Sequence, residues 1–231
     1  ASISCYNFVE DINRFKLFHD IQGGTGKFAG ATGTTVMEGE TRRVDGTDQD
    51  LFWAWTAELK QNWRTIRAEL DGVLSDLDLV PNYQDVSWAQ SALTKDDRWK
   101  TFMLNAFGET IEANCARCPE TAKLIDRIPG VGQAMFSILS PGKHVPPHRG
   151  PYNGLLNCHL ALLVPEDRST CRLRVGPDTR NWQEGEMLIF DDRHEHEAWN
   201  DSEGLRVVLL MYIVRPLPAP LSWANMLVLS I

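Results

Sequence analysis

The 231-residue chain reads as an α+β protein in which a helical first half supports an antiparallel sandwich or barrel. Three observations predict this. Apolar residues recur at three- and four-residue steps from Leu51 to Leu77; short apolar or alternating runs replace them after Gly132; and Gly, Pro, Asp and Asn punctuate those runs. With 43% hydrophobic and 9% aromatic residues, the chain can bury a full core in one large domain or a domain with an appendage.

Residues 1–50 differ from the rest. Gly23 to Lys27 and Gly30 to Thr35 are rich in Gly and Thr, and the run Glu38 to Asp50 is polar, which is turn and loop composition. Gly-Thr-Gly-Lys-Phe fails as a phosphate loop because Phe28 follows Lys27 where Ser or Thr is required. Residues 51–130 read as a mainly helical support region. Leu51, Trp55, Leu59, Trp63, Ile66, Leu70, Val73, Leu74 and Leu77 trace one face of a single long amphipathic helix, with Glu58, Lys60, Arg64 and Glu69 between them. Pro119 opens a second, shorter helix to Ile128, stopped by Pro129 and Gly130. Within 131–216, strands are expected at Ala134 to Leu139, Leu155 to Val164, Cys171 to Val175, Met187 to Phe190, His196 to Trp199 and Arg206 to Val214. Residues 217–231 form a C-terminal extension.

Charge and cysteine content narrow the function. Lys plus Arg is 23 against 31 Asp plus Glu, so the net charge of -8 opposes nucleic-acid binding and gives no general attraction to anionic membranes, a local basic patch aside. The apolar run Val207 to Val214 is far too short for a transmembrane segment, and the chain is read as soluble and cytoplasmic. Five cysteines, at 5, 115, 118, 158 and 171, do not suggest a secreted disulfide framework. Cys115 and Cys118 have zinc or redox spacing, but no second pair completes a zinc site, so buried or helix-end thiols are the better reading. Pro119, placed like the first residue of a helix, keeps a redox role open.

Five of the six histidines lie between 144 and 196: His144, His148, His159, His194 and His196. Neutral imidazole is the commonest metal ligand, and a double-sheet barrel brings distant strands to one mouth. A facial iron triad usually reads His, any residue, then a carboxylate, yet the residue two after His148 is Gly150. Asp191, Asp192, Glu195 and Glu197 surround His196, and any of them could supply a carboxylate by composition. His194, on the same side of a strand as His196, competes with it as a ligand. Trp182 and Trp199 read as sheet-packing residues. Arg206, a guanidinium fork on a strand, suits a carboxylate partner.

Phe136 to Leu139, Pro141 to Pro151, His159-Leu160, Phe190 to Trp199 and Arg206, taken as an ordered series, resemble the aspartyl/asparaginyl β-hydroxylase family. That family is a branch of the iron(II)- and 2-oxoglutarate-dependent oxygenases, built on a double-stranded β-helix of jelly-roll, cupin-like form. The resemblance implies that His148 and His196 bind iron, and that Ser137 and Arg206 hold the distal carboxylate of 2-oxoglutarate while His159 contacts its iron-proximal end. It also implies that water fills the third iron position, as in the animal branch. The four acids are then read as supporting groups around the metal site, with Asp192 hydrogen-bonding an iron-bound water. A carboxylate introduced at Gly150 would then find a vacant position.

The activity implied is hydroxylation of an unactivated C–H bond with molecular oxygen, 2-oxoglutarate leaving as succinate and carbon dioxide. A catalytically inactive metal- and 2-oxoglutarate-binding barrel, acting as a sensor or interaction domain, is the alternative. The substrate is a small amino-acid derivative, a peptide residue or an acyl chain. In the animal enzyme, basic side chains between the Pro-His-x-Gly motif and the cofactor histidine engage an acidic peptide; here Asn153 to Cys158 contains none. The lack of a membrane-spanning run weighs against a lipid-resident substrate.

Overall fold

The computed structural model describes residues 14–22, 32–40, 48–87, 93–106, 109–150, 152, 154–215, 223, 225 and 227, with side chains from residue 54 onward. Strands β1 (Arg14–Gln22) and β2 (Thr32–Glu40) form an antiparallel pair, from Arg14 opposite Glu40 to Gln22 opposite Thr32. The loop reading of this region is therefore corrected. Phe15, Leu17 and Ile21 alternate with polar residues and β2 is rich in Thr and Val, a strand signal masked by the neighbouring glycines. The Gly23 to Lys27 stretch lies outside the described residues.

The single long helix is also corrected, to α1 (Asp48–Gln61) and α2 (Trp63–Leu74). Asn62 separates them: its side-chain amide donates to the Glu58 carbonyl at 2.9 Å, competing locally with the helical backbone pattern. The short helix α3 (Tyr83–Val86) follows. Strands β3 (Trp99–Ala106) and β4 (Glu109–Thr110) then arise inside the stretch read as helical. Trp99 to Leu104 carries no period-two alternation, its apolar residues falling at 99, 102, 103 and 104, so the strand does not stand out from its helical neighbours. Helices α4 (Glu112–Cys115) and α5 (Pro119–Asp126) complete the region. Cys118 offers α5 no side-chain cap; instead the N–H groups of Glu120 and Thr121 each donate to the Glu69 carboxylate of α2 at 2.8 Å. Cys118 is buried and its thiol is pushed up to about 12, chiefly by burial, which removes the thiolate that redox chemistry would require.

The strand half comprises β5 (Val131–Leu139), β6 (Lys143–His148), β7 (Leu155–Leu163), β8 (Cys171–Val175), β9 (Asp178–Asn181), β10 (Met187–Phe190), β11 (His196–Asn200) and β12 (Arg206–Val214). One sheet has the order β10-β7-β12-β5-β3-β4 and the other β6-β11-β8-β9, all described pairs being antiparallel. From β5 onward the strands divide between two facing sheets, β5, β7, β10 and β12 in the larger and β6, β8, β9 and β11 in the smaller, which is the double-stranded β-helix arrangement of cupin-like proteins. Of the two strands that the sequence reading missed, β6 contains Pro146 and Pro147 and lies at a sheet edge, where proline leaves no ladder hydrogen bond unmade.

Strand β12 shows how the layers are assembled. Val207, Leu209, Met211 and Ile213 join the cluster that contains Ile66, Leu70 and Val73 of α2, while Val208 and Leu210 join the inter-sheet cluster with Val145, Leu173 and Phe190. The larger sheet is thus buried on both faces, each fully buried side chain contributing about 1.5–3 kcal/mol. Among the described residues no helix is long and apolar enough to cross a membrane.

Asn200 ties the beginning of β12 to this frame. Fully buried, it donates to the carbonyls of Leu139 and Gly204, both at 2.8 Å, and accepts from the Ser202 hydroxyl at 2.6 Å. Replacing Asn200 by Ala removes this donor from the Leu139 carbonyl and leaves the Gly204 carbonyl only the Ser202 hydroxyl at 3.1 Å, and is expected to cost about 1–3 kcal/mol. Denaturant unfolding of the variant checks this, and a loss below about 1 kcal/mol would mean that the turn holds without the amide.

Candidate active site

Polar side chains from five strands converge in the space between the two sheets. His148 ends β6 and His196 begins β11, and the two residues face each other in register. Their ring centroids are 4.1 Å apart and the rings are inclined at 53°. Each ring is fixed by a nearby carbonyl: His148 Nδ1 lies 2.8 Å from the Pro146 oxygen and His196 Nδ1 lies 2.9 Å from the His194 oxygen. A carbonyl only accepts, so each Nδ1 carries the proton and each Nε2 presents a lone pair. Burial holds the His148 pKa below the usual imidazole range, and burial together with the neighbouring His148 lowers His196 to about 4. At neutral pH both rings are neutral bases.

Deeper in the same space lie His159 of β7, Ser137 of β5 and Arg206 of β12. Arg206 stands opposite Leu139 and Ser137 opposite Val208, so Arg206 and Ser137 are diagonal neighbours on one face of the sheet; His159 stands opposite Leu210 on that face. Arg206 is 2% exposed, and neither its Nε nor its Nη1 has a hydrogen-bond partner. Burial pulls its pKa down to about 10, so it stays charged at neutral pH. Both ring nitrogens of His159 are likewise buried without partners, and burial drives its pKa well down. Ser137 Oγ accepts the indole N–H of Trp99 at 3.1 Å, which leaves its own O–H to donate elsewhere.

Trp99 and Trp182 are the residues that sequence reasoning passed over. Trp182, read as sheet packing, is fully buried with its Nε1 unpartnered; the Arg206 guanidinium lies 4.5 Å from its ring centre and the His159 ring 6.0 Å away, nearly parallel. It therefore braces the two polar groups against each other. Trp199, by contrast, stacks on His144 on the other face of β11. Nothing in a single sequence distinguishes these two tryptophans, because which face each strand residue takes depends on the register.

The four acids around His196 separate by partner. Asp191 pairs with Arg215 at 2.6 Å, Glu195 with Arg174 at 3.2 Å, and Glu197 with Arg174 and, at 2.9 Å, with His144. His194 sits in the turn after β10, its N–H donating to the Asp191 carbonyl, and not on the strand with His196 as the sequence suggested. Asp192 remains: it is 1% exposed, its Oδ1 has no partner, and burial, with the charge of Asp191, pushes its pKa up to about 7. Among the described residues no group of three or more His, Cys, Asp or Glu is placed to hold a metal ion. The donor set brought together is a pair of imidazole Nε2 atoms with Asp192 nearby, which suits a divalent transition metal left with open positions.

Gly150 overturns one expectation. Its N–H donates to the Asp192 carbonyl at 2.7 Å, and a Cβ at this position would overlap the Asp192 carboxyl group. There is no vacancy for a carboxylate at 150, because Asp192 fills that space from the neighbouring turn.

The aspartyl/asparaginyl β-hydroxylase family model matches residues 60–216, and the chain belongs to that family. Over 171 residues it is 47% identical to the ornithine lipid ester-linked acyl 2-hydroxylase of Rhizobium tropici, covering 74% of this chain and 61% of that protein. Over 163 residues it is 34% identical to the human aspartyl/asparaginyl β-hydroxylase, covering 68% of this chain and 21% of that protein. The chain thus spans less than two thirds of either relative. Among solved structures, the cupin domain of Schizosaccharomyces pombe Cnp3 superimposes with a TM-score of 0.36 at 9% identity, over 56% of this chain and 74% of that one.

Gly150→Ala is expected to destabilise the chain by about 1–3 kcal/mol through overpacking, and Asp192→Ala in the same molecule should recover most of that loss. A double-mutant cycle in denaturant measures the coupling. Additive losses would show that the two residues do not compete for space.

Proposed function

We propose that the chain is an iron(II)- and 2-oxoglutarate-dependent hydroxylase acting on an acyl chain of a lipid. The buried Arg206 carries this reading. A guanidinium with unpartnered nitrogens inside an apolar core calls for an anion, and the paired Nε2 atoms of His148 and His196 call for a metal in the same inter-sheet space. His148 and His196 would hold iron. Arg206 and the Ser137 hydroxyl would bind the far carboxylate of 2-oxoglutarate, with Trp99 orienting Ser137 and Trp182 bracing the guanidinium. His159 would meet the near end of that molecule, and Asp192 would set the polar environment on the Gly150 side.

When bound, iron with 2-oxoglutarate and oxygen supplies the oxidising power for C–H hydroxylation, 2-oxoglutarate ending as succinate and carbon dioxide. The protein's task is to fix those components, present one C–H bond and keep bulk water out, and the apolar walls formed by Val208, Leu210, Val145 and Phe190 suit the last of these. Identity of 47% to a lipid acyl hydroxylase supports the substrate class, as does the lack of a basic residue from Asn153 to Cys158 for an acidic peptide. The sequence argument against a lipid weakens accordingly, since a surface contact can substitute for a spanning helix. The direct test is incubation with ester-linked acyl lipids, iron(II) and 2-oxoglutarate: one oxygen atom should be gained by the acyl chain for each succinate formed. Tight 2-oxoglutarate binding with no succinate from any lipid or peptide would favour the catalytically inactive binding barrel.

Two variant series follow from these assignments. His148→Ala and His196→Ala should each lose metal binding and turnover, whereas His144→Ala and His194→Ala should retain most of both in metal titrations. Equal loss at His194 would contradict the assignment. Arg206→Met should melt no lower than the parent without ligand, since a hydrophobe replaces a buried unpaired charge, yet should bind 2-oxoglutarate roughly 10- to 150-fold more weakly, the equivalent of about 1.5–3 kcal/mol. Thermal-shift titration reads both effects, and unchanged 2-oxoglutarate affinity in Arg206→Met would remove Arg206 from the site.

A further inference from the structure

We infer that Asn157 is a specificity-determining residue, whose side-chain amide pairs with a secondary amide of the substrate and so selects acyl lipids that carry an N–H near the chain to be hydroxylated. Asn157 lies on β7 two residues before His159, so both side chains point to the same face of the strand, while Cys158 between them joins the cluster on the helical side. On that inner face Asn157 stands directly opposite Phe190 of β10 and Tyr212 of β12. The Phe190 ring centre lies 5.2 Å from that of His196 and 5.3 Å from that of His159, which sets Asn157 beside the groups already described. Along β12 the order runs from Arg206 to Leu210, opposite His159, and then to Tyr212, opposite Asn157. The stretch read for 2-oxoglutarate, Arg206 to His159, therefore ends about 6.5 Å along the strand before Asn157, which leaves Asn157 to the substrate.

The chemistry of the position points to a neutral donor. Asn157 is 3% exposed and its Oδ1 has no hydrogen-bond partner. A carbonyl oxygen so enclosed calls for an N–H or O–H, which neither a carboxylate nor a simple ester supplies. An ammonium would lose its hydration in a space that already holds the Arg206 charge. A secondary amide meets both halves of the side chain in one plane: its N–H donates to Oδ1 and its carbonyl accepts from the Nδ2 protons. This narrows the lipids to those with an amide beside the reacting chain, whether or not that chain is itself joined through an ester. That the amide belongs to a lipid rests on the acyl-chain reading above; the pairing at Asn157 does not.

The test is equilibrium binding of two matched probes to the full chain loaded with manganese(II) and 2-oxoglutarate in the absence of oxygen. The probes are N-dodecanoylglycine methyl ester and its isostere in which an oxygen replaces the N–H. The parent should bind the amide about tenfold more tightly, the worth of one net hydrogen bond. Asn157→Leu, and Asn157→Ala which adds no bulk, should bind the two probes alike and leave the manganese and 2-oxoglutarate affinities unchanged. Asn157→Leu should also melt no lower than the parent, because a hydrophobe of similar volume replaces an unpaired buried amide, whereas a merely structural role would lower the melting temperature. Equal binding of the two probes by the parent, no binding of the amide probe, or a preference that survives in both variants overturns the proposal. N-acetylglycine methyl ester bound as tightly as the dodecanoyl probe overturns its lipid part. Binding that follows these expectations while no lipid gains oxygen upholds the role of Asn157 and counts against the proposed activity; hydroxylation of lipids with equal binding of amide and ester does the reverse.

Discussion

A guanidinium buried between two apolar sheets is the constraint on which the rest of the architecture depends. Left unpaired, such a charge is among the most costly groups a core can contain. Arg206 is tolerated because everything around it is held rigid. Asn200 fixes the turn leading into β12, Trp182 lies against the guanidinium plane, and helices α1, α2 and α5 cover the outer face of the sheet so that β12 is buried on both sides. The stability that this packing supplies is what allows the interior to hold a guanidinium and an imidazole whose nitrogens lack partners.

The paired histidines follow a similar logic on the other sheet. Each imidazole is aligned by a carbonyl two residues earlier in its own chain, Pro146 for His148 and His194 for His196. The same local device, used on two adjacent strands, turns both Nε2 atoms to one use without needing any distant support. It also gives the His194 backbone a purpose that its side chain does not reveal, and the two prolines beside His148 are tolerated because β6 is an edge strand. Across the gap, Asp192 and Gly150 divide one position between them, the glycine supplying space and the aspartate the carboxyl group.

Much of the strand half was legible in the sequence, because strands buried on both faces are continuous apolar runs and Gly, Pro, Asp and Asn mark their ends; β8, β10 and β12 begin and end where those signals fall. The proline-bearing β6 and the polar, four-residue β9 lack such a pattern. Strand β3 was hidden by its helical neighbours, and the division of α1 from α2 depends on one side-chain hydrogen bond from Asn62 that no periodicity records. At the site, the residue types and their order were readable, whereas the partners were not. That Asp191, Glu195 and Glu197 are committed to arginines, that Trp182 lies under Arg206 while Trp199 faces outward, and that Gly150 has no room beside it are all consequences of register and of contacts between distant strands.

The proposed activity requires the inter-sheet space to take a metal at His148 and His196 and a dicarboxylate at Arg206 together. Crystals grown without oxygen in manganese(II) and 2-oxoglutarate test it most directly, since anomalous scattering locates the metal independently of the surrounding chain. The account predicts an anomalous peak bonded to the Nε2 atoms of both histidines, with one carboxylate of 2-oxoglutarate within hydrogen-bond distance of Arg206 and Ser137. A metal held by Glu195 or Glu197 instead, or a 2-oxoglutarate bound with Arg206 untouched, would contradict it.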